Sequence, residues 1–75
     1  MTPAIERFGG AVRRLREGHG WSQELLAEKA DLNRSYLGEV ERGCVTPSLA
    51  TAAKLAEALC LPLSELLAAC ERRAA

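Results

Sequence analysis

Polar side chains surround the junction of two short amphipathic patterns in WSQELLAEKADLNRSYLGEVERG, residues 21 to 43. The apolar residues of this stretch can form a core, and that core gives no role to Gln23, Arg34, Ser35, Tyr36, Glu39 and Arg42. An arginine can donate two hydrogen bonds to guanine O6 and N7, and a glutamate can accept one from cytosine N4. Arg34 and Glu39 therefore carry groups that could hydrogen-bond to the edges of G·C pairs. The alternative is that they form a solvated ion pair on one helix.

The other reactive side chains lack the spacing that an enzyme or a metal site requires. His19 stands in a glycine-flanked loop with no cysteine or carboxylate partner dictated by spacing, and Ser22 fits a helix cap better than a nucleophile. Cys44, Cys60 and Cys70 are an odd number without a CxxC pair, which favours free thiols over a disulfide framework or a zinc site. We therefore expect no enzyme activity, no metal and no cofactor.

Length and charge limit the classes of function that the chain could have. Its 75 residues are enough for one small domain, 1-75, near the lower size limit for a self-sufficient core. Ten basic and ten acidic residues cancel, so any site for a polyanion must be local. No apolar run approaches the roughly eighteen residues of a membrane span, and no secretory signal is visible, so we expect a cytoplasmic protein without membrane contact.

Composition and periodicity favour an all-α domain of five short helices. The core must be built mainly from Leu, Ala and Val, because the chain is 48% hydrophobic but contains few aromatic residues. The first helix is predicted over about residues 3 to 17, and its buried stripe comprises Ile5, Phe8, Val12 and Leu15. Gly9 and Gly10 interrupt this helix, which is tolerable if one of them lets another helix approach closely.

Two capping signals divide the next stretch into a second and a third helix. Ser22 can cap a helix over residues 23 to 30, and Asp31 stands where a left-handed residue would end it. Asn33 can cap a third helix that ends near Arg42. Two capped helices joined by about three residues cross steeply, an arrangement typical of a helix-turn-helix, here at residues 22 to 42. The second helix of such a motif enters the DNA major groove.

Two further helices complete the predicted domain. Ser48 can cap a fourth helix after the break at Pro47. Its inward residues are predicted to be Leu49, Ala52, Leu55, Ala56 and Leu59. The LeuProLeu at 61 to 63 breaks the chain again, and a fifth helix is expected over about residues 63 to 73.

The chain resembles a known family over about residues 5 to 67, the bacterial and phage repressors of the Cro/C1 (Xre-like) helix-turn-helix type. The segment similar to the family's helix-turn-helix core is SQELLAEKADLNRSYLGEVERG, and the segment similar to its later helices is TPSLATAAKLAEALCLPLSELL; both follow FGGAVRRLRE. The resemblance implies a five-helix, lambda-repressor-like DNA-binding domain. In size the chain is similar to stand-alone phage regulators and to the controller proteins of restriction-modification systems.

The resemblance also implies roles for single residues. The residues expected to read bases are Arg34, Ser35, Tyr36 and Glu39, and those expected to contact the DNA backbone are Gln23, Arg42 and Asn33. Arg13 is a further expected backbone contact because of its place on the first helix, the alternative being that it belongs to the solvated face of that helix. Arg16 and Glu41 match positions that often pair across the core of such proteins and would tie the first helix to the recognition helix. The alternative is that Arg16 and Glu41 are two independent surface charges.

Three residues depart from the family pattern. Leu25 replaces the acidic residue that would complete a capping box with Ser22, and we expect Leu25 to be exposed. Asp31 and Cys60 occupy helix ends where glycine is usual. Because a left-handed backbone suits cysteine poorly, we expect an unusual backbone torsion at Cys60.

The function that these features favour is a sequence-specific regulator of transcription that binds double-stranded DNA as a homodimer on a palindromic operator. It would act by blocking or recruiting RNA polymerase. The alternative is a protein-interaction module, antitoxin-like or partner-binding, with weak or no DNA binding. The exposure expected of Leu25 and the zero net charge support that alternative.

Dimerisation is expected to occur through the fifth helix. Leu63 and Leu66 can close the core, while Leu67 and Cys70 would continue apolar surface outward, and the interface is predicted to comprise Leu63, Leu67 and Cys70. The alternative is that the terminal helix frays and leaves Leu67 as an ordinary surface residue.

Overall fold

Five α-helices make up the domain, as the sequence predicts, and no strand occurs in the computed structural model, which describes residues 3 to 71. They are α1 Pro3–Gly18, α2 Gln23–Lys29, α3 Arg34–Glu41, α4 Leu49–Ala58 and α5 Leu63–Glu71. Residues 72 and 73, which were expected to extend the fifth helix, lie outside the described residues.

Side-chain caps fix where three of the helices begin. The side-chain oxygens of Ser22, Asn33 and Ser48 accept backbone N–H groups of the first turns of α2, α3 and α4 at 3.1, 2.8 and 3.1 Å. Each cap satisfies a donor that the helix itself leaves unbonded, and losing one typically costs about 1 kcal/mol. The predicted starts of these helices are therefore confirmed. The second helix ends one residue earlier than expected, with Ala30 as its cap.

All five helices enclose the core: α1 packs on α3 and α5, α2 packs on α3 and α4, and α4 packs on α5. Its largest fully buried side chains are Leu26, Leu37, Leu55, Leu59, Leu66, Val12 and Val40. In the predicted stripe on α1, Phe8 and Val12 are buried, and Ile5 and Leu15 at its two ends are half-buried. Aliphatic packing of this kind removes apolar surface from water, which stabilises the domain by about 25 cal/mol per Å².

The predicted inward position of Leu49 is wrong, since this side chain is 70% exposed. Leu49 is the first residue of α4, and the core begins one turn later, at the buried Ala52. Periodicity predicts the direction in which a side chain points on its helix. It does not predict whether another helix stands opposite that turn.

Gly9 is the residue that lets α1 and α3 approach closely. A Cβ atom at Gly9 would overlap the carbonyl oxygen of Val40 and would lie 2.8 Å from the carbonyl oxygen of Glu41. A Cβ at Gly10 would meet only the flexible guanidinium of Arg14, at 3.4 Å. Of the two glycines in the first helix, Gly9 is therefore the one that close helix packing requires.

Replacing Gly9 with alanine is expected to destabilise the domain by about 1 to 3 kcal/mol, because the methyl group forces α3 away from α1. Gly10→Ala is the matched control and should stabilise the domain by about 0.5 to 1 kcal/mol through helix propensity alone. Urea unfolding of both variants gives the two free energies. Equal stabilities would contradict the close approach at Gly9.

Three helices end in the same hydrogen-bonded turn with a left-handed residue. Asp31, Gly43 and Cys60 have φ values of 57°, 74° and 66°. The following residues donate their N–H groups back to the carbonyls of Ala27, Glu39 and Ala56 at 2.8, 2.9 and 3.0 Å. These bonds satisfy carbonyls at the helix ends. The unusual torsion predicted at Cys60 is confirmed.

Cys60→Gly is expected to raise the stability of the domain by about 1 kcal/mol, because glycine adopts a positive φ without steric strain. The Cys60 side chain is exposed, so little packing is lost. Cys44→Gly is a suitable control, since Cys44 is also exposed but its φ is not positive, and no gain is expected there. Thermal unfolding measures both. A clear fall in melting temperature for Cys60→Gly would show that the thiol contributes packing.

Candidate nucleic-acid interface

The exposed face of α3 brings most of the predicted base-reading residues together. One side of this helix is buried through Leu37 and Val40, which belong to the same core as Leu26 and Ala27 of α2. The side chains of Arg34, Ser35 and Glu39 remain exposed on the other side. Packing against α2 and the cap at Asn33 therefore fix one side of α3 and leave its polar face open.

Arg34 and Glu39 do not form an ion pair with each other. Within residues 3 to 71 the salt bridges join Arg13 to Glu17 and Arg16 to Glu41. The solvated pair that was the alternative interpretation is therefore not realised in the described part of the chain. An arginine and a glutamate whose hydrogen-bonding groups face solvent can both bond base edges.

Tyr36 and Asn33 are less available than the sequence suggests. Tyr36 is half-buried, and its side chain packs against the core. The Asn33 side-chain oxygen accepts the backbone N–H groups of Ser35 and Tyr36 at 2.8 and 3.3 Å, so this atom is committed to capping α3. The Asn33 amide N–H₂ remains a donor at the start of the helix, where a phosphate oxygen could accept from it.

Gln23 and Arg42 lie side by side across Gly38, a residue whose role sequence reasoning did not identify. A Cβ on Gly38 would lie 3.2 Å from a guanidinium nitrogen of Arg42 and 3.8 Å from the amide oxygen of Gln23. The sequence feature that could have identified it is a glycine inside a short helix. Such a glycine lowers the stability of the helix by about 0.5 to 1 kcal/mol relative to alanine, so its presence needs an explanation. The missing side chain leaves room for the two groups that were expected to contact the DNA backbone.

A buried ion pair joins α1 to α3. Arg16 Nε and a terminal guanidinium nitrogen donate to the two carboxylate oxygens of Glu41 at 2.8 and 3.0 Å, and the side chains are 11% and 2% exposed. The other terminal nitrogen donates to the Trp21 carbonyl at 2.9 Å. The hydrogen bond to Glu41 raises the pKa of Arg16, so the guanidinium stays charged. The alternative of two independent surface charges is wrong.

Arg13 lies outside the helix-turn-helix, on the exposed surface of α1. Its Nε donates to Glu17 at 3.1 Å, one turn along the same helix. Exposed pairs of this kind contribute little stability, so the bond to Glu17 is easily exchanged for one to a phosphate.

The end of α5 differs from its prediction at Cys70. This residue is only 8% exposed, and its thiol donates to the Leu66 carbonyl at 3.3 Å. Burial raises the pKa of the thiol. Cys70 lies four residues after the buried Leu66 and so shares its inward face. It packs into the core of one chain, which corrects the expectation that it would continue the apolar surface outward.

Leu67 and Leu63 keep apolar surface accessible on α5. Leu67 is 42% exposed, and Leu63 is half-buried against the core. Beside Leu67 runs a cleft between α1 and α5 whose lining includes Phe8, Cys70 and the charged Arg7 and Glu71. An exposed leucine at the edge of an apolar cleft, with both signs of charge at the rim, can meet a copy of itself.

His19 takes part in packing at the junction of three helices. Its ring stacks on Trp21 with centroids 4.1 Å apart, and Lys29 Nζ lies 4.8 Å from the centroid of the Trp21 ring. The His19 Nε2 atom is 3.3 Å from the carbonyl oxygen of Leu59. Residues 3 to 71 hold no group of His, Cys, Asp and Glu that could bind a metal ion. No helix in this part of the chain has the length and hydropathy to cross a membrane.

The fold and the exposed face of α3 define a helix-turn-helix protein. The family model HTH_3, helix-turn-helix, matches residues 12–66, and the chain belongs to this family. The chain is 37% identical over 67 residues to the control protein C.MunI of Mycoplasma sp, covering 88% of this chain and 90% of that protein. It is 39% identical over 59 residues to the immunity repressor protein of Bacillus phage phi105, covering 79% of this chain but only 41% of the repressor.

A solved structure has the same fold with higher identity. The restriction-modification controller protein C.AhdI from Aeromonas hydrophila is 47% identical and superposes with a TM-score of 0.80, over 83% of this chain and 94% of that one. The similarity to C.AhdI and to C.MunI therefore extends over most of each protein, whereas the phage repressor is more than twice as long as the matched segment.

Proposed function

We propose that the chain is a transcription regulator that binds double-stranded DNA in a sequence-specific manner, with α3 in the major groove. The observation that carries the proposal is the solvent-facing set of Arg34, Ser35 and Glu39 on a helix whose opposite side is fully packed. Such a helix can enter a groove without giving up core contacts. Membership of the HTH_3 family and the similarity to control proteins and a phage repressor support the same function.

The base-reading and backbone-contacting roles follow from side-chain chemistry. Arg34 would donate to guanine, Glu39 would accept from cytosine, and Ser35 could bond either kind of base edge. Because Tyr36 is half-buried, its contribution would be limited to the atoms that remain exposed. The DNA backbone would be held by Gln23, Asn33, Arg42 and Arg13.

A homodimer acting on a palindromic operator is the second part of the proposal. Leu67 would pair across a two-fold axis along α5, with Leu63 at the edge of the interface, and a small core would gain buried apolar area. The two copies of α3 would then lie about 34 Å apart, one turn of DNA. A bound dimer would block or recruit RNA polymerase and would work in the cytoplasm, where the DNA is.

A protein-interaction module is the second candidate, and exposed leucines favour it. Leu25 and Leu49 are 36% and 70% exposed, and the net charge of the chain is zero. An apolar protein interface and a DNA interface respond differently to salt. Counterion release makes DNA binding weaken steeply as salt rises, whereas an apolar interface does not weaken.

Selection of bound fragments from random duplex DNA tests the proposed function. We expect enrichment of a two-fold symmetric sequence with G·C pairs in each half-site and half-site centres about 10 base pairs apart. Selection without any enriched sequence would contradict it, and retention of a protein partner with no DNA would favour the interaction module.

A further inference from the structure

Three helices meet at the carboxylate of Glu41. One of its oxygens accepts from Arg16 Nε at 2.8 Å. The other accepts both from an Arg16 terminal nitrogen at 3.0 Å and from the Gln23 amide nitrogen at 2.9 Å. Arg16 belongs to α1, Gln23 opens α2, and Glu41 closes α3. The Arg16–Glu41 ion pair is therefore hydrogen-bonded to Gln23, which is proposed to contact the DNA backbone.

The chemistry of this contact determines which way the Gln23 amide is turned. A carboxylate can only accept hydrogen bonds, so the group that faces Glu41 has to be the amide N–H₂. One of its two hydrogens is then bonded inward, and the second remains for a partner at the surface. A Cβ on Gly38 would lie 3.8 and 4.0 Å from the Gln23 amide oxygen and nitrogen and 3.2 Å from an Arg42 guanidinium nitrogen, so the amide and the guanidinium share the surface over Gly38.

The negative charge of Glu41 explains why the Gln23–Glu41 contact needs Arg16. An unpaired carboxylate so close to the proposed phosphate contact would repel the DNA. Bidentate pairing with Arg16 offsets that charge, and the oxygen that accepts from the Arg16 terminal nitrogen still has a lone pair that accepts from the Gln23 amide. Glu41 itself is buried, with its side chain 2% exposed, so it cannot contact DNA.

We propose that Glu41, neutralised by Arg16, is a positioning residue for DNA binding that fixes the Gln23 amide with one N–H directed at a phosphate beside Arg42. The inference rests on the proposed function. It assigns the buried pair a part in recognition in addition to its part in the fold.

A double-mutant cycle distinguishes positioning from a purely structural role. Gln23→Met keeps the length of the side chain and removes the amide, and it should weaken binding to the selected duplex by about tenfold. Glu41→Gln should weaken binding by a similar factor, and the double variant by no more than either single variant. Losses that multiply, to about a hundredfold, would mean that Glu41 acts only through stability and would overturn the proposal.

A second test uses the unmodified protein and therefore does not depend on whether the Glu41→Gln variant folds. Gln23 and Asn33 are the only glutamine and asparagine of the chain, so NMR shows just two side-chain amide groups. Asn33 serves as the control, because only its oxygen is engaged, as the α3 cap. One Gln23 hydrogen should exchange with water much more slowly than either Asn33 hydrogen. On addition of the duplex, the other Gln23 hydrogen should shift.

The results distinguish a failure of the positioning role of Glu41 from a failure of DNA binding itself. If both Gln23 hydrogens exchange as fast as those of Asn33, the inward bond is absent and the positioning role is overturned while DNA binding stands. The same holds if the protein binds the duplex and neither Gln23 hydrogen shifts. If the unmodified protein binds no selected duplex, the proposed function and the inference both fail.

Discussion

The Leu67→Glu substitution is expected to convert the proposed dimer into a monomer and to weaken binding to a two-fold symmetric operator by about 10²- to 10⁴-fold. The introduced carboxylate would meet its own copy across the two-fold axis, beside the apolar cleft that Phe8 and Cys70 line. A monomer then loses the gain from binding two half-sites at once. Sedimentation equilibrium measures the dimer, and titration of the operator measures the affinity.

Leu49→Glu is the matched control, because it places the same charge at a leucine that is more exposed and lies on α4. This variant should remain dimeric and bind the operator as the unmodified protein does. An unmodified protein that stays monomeric at tens of micromolar, with and without operator DNA, would exclude both the dimer and the palindrome. A monomer produced by Leu49→Glu instead would move the interface to α4.

Arg34→Ala is expected to weaken operator binding by about 1 to 3 kcal/mol and to abolish the preference for one base pair in each half-site. The exposed Arg34 side chain is not engaged in a salt bridge within residues 3 to 71, so its removal leaves the fold intact. Titration of duplexes substituted at single positions measures the preference.

Arg42→Ala is the comparison for this variant. Arg42 is also exposed but lies at the end of α3 beside the Gln23 amide, and its substitution should weaken all duplexes by a similar factor. Unchanged affinity and unchanged preference in Arg34→Ala would show that α3 does not read bases in the proposed orientation.

Local chemistry made much of the fold predictable. Ser22, Asn33 and Ser48 begin helices because their side chains accept N–H groups that the helix leaves unbonded, and this depends on neighbouring residues alone. The left-handed end at Asp31 is also a local feature, whereas the one at Cys60 was expected because the family that the chain resembles usually has glycine at that position. The local features are encoded within one turn of the chain, so a sequence shows them directly.

Positions that depend on a neighbouring helix were less predictable. Leu49 and Cys70 both lie on predicted apolar stripes, yet Leu49 is exposed and Cys70 is buried. Cys70 lines the same cleft as Phe8 of α1. The approach of Gln23 to Arg42 across Gly38 and the Gln23–Glu41 hydrogen bond join residues that are far apart in the chain. The periodicity of apolar residues does not predict which side chains on different helices form hydrogen bonds with each other.

Binding of labelled duplex DNA, followed by fluorescence anisotropy, tests the central claim that α3 reads the bases of an operator. The selected palindrome and a duplex of the same composition in permuted order would be titrated at about 50 and 200 mM salt. We expect the palindrome to bind at least about 10³-fold more tightly, with affinity for both duplexes falling as salt rises. Equal affinity for the two duplexes at both salt concentrations would contradict the claim.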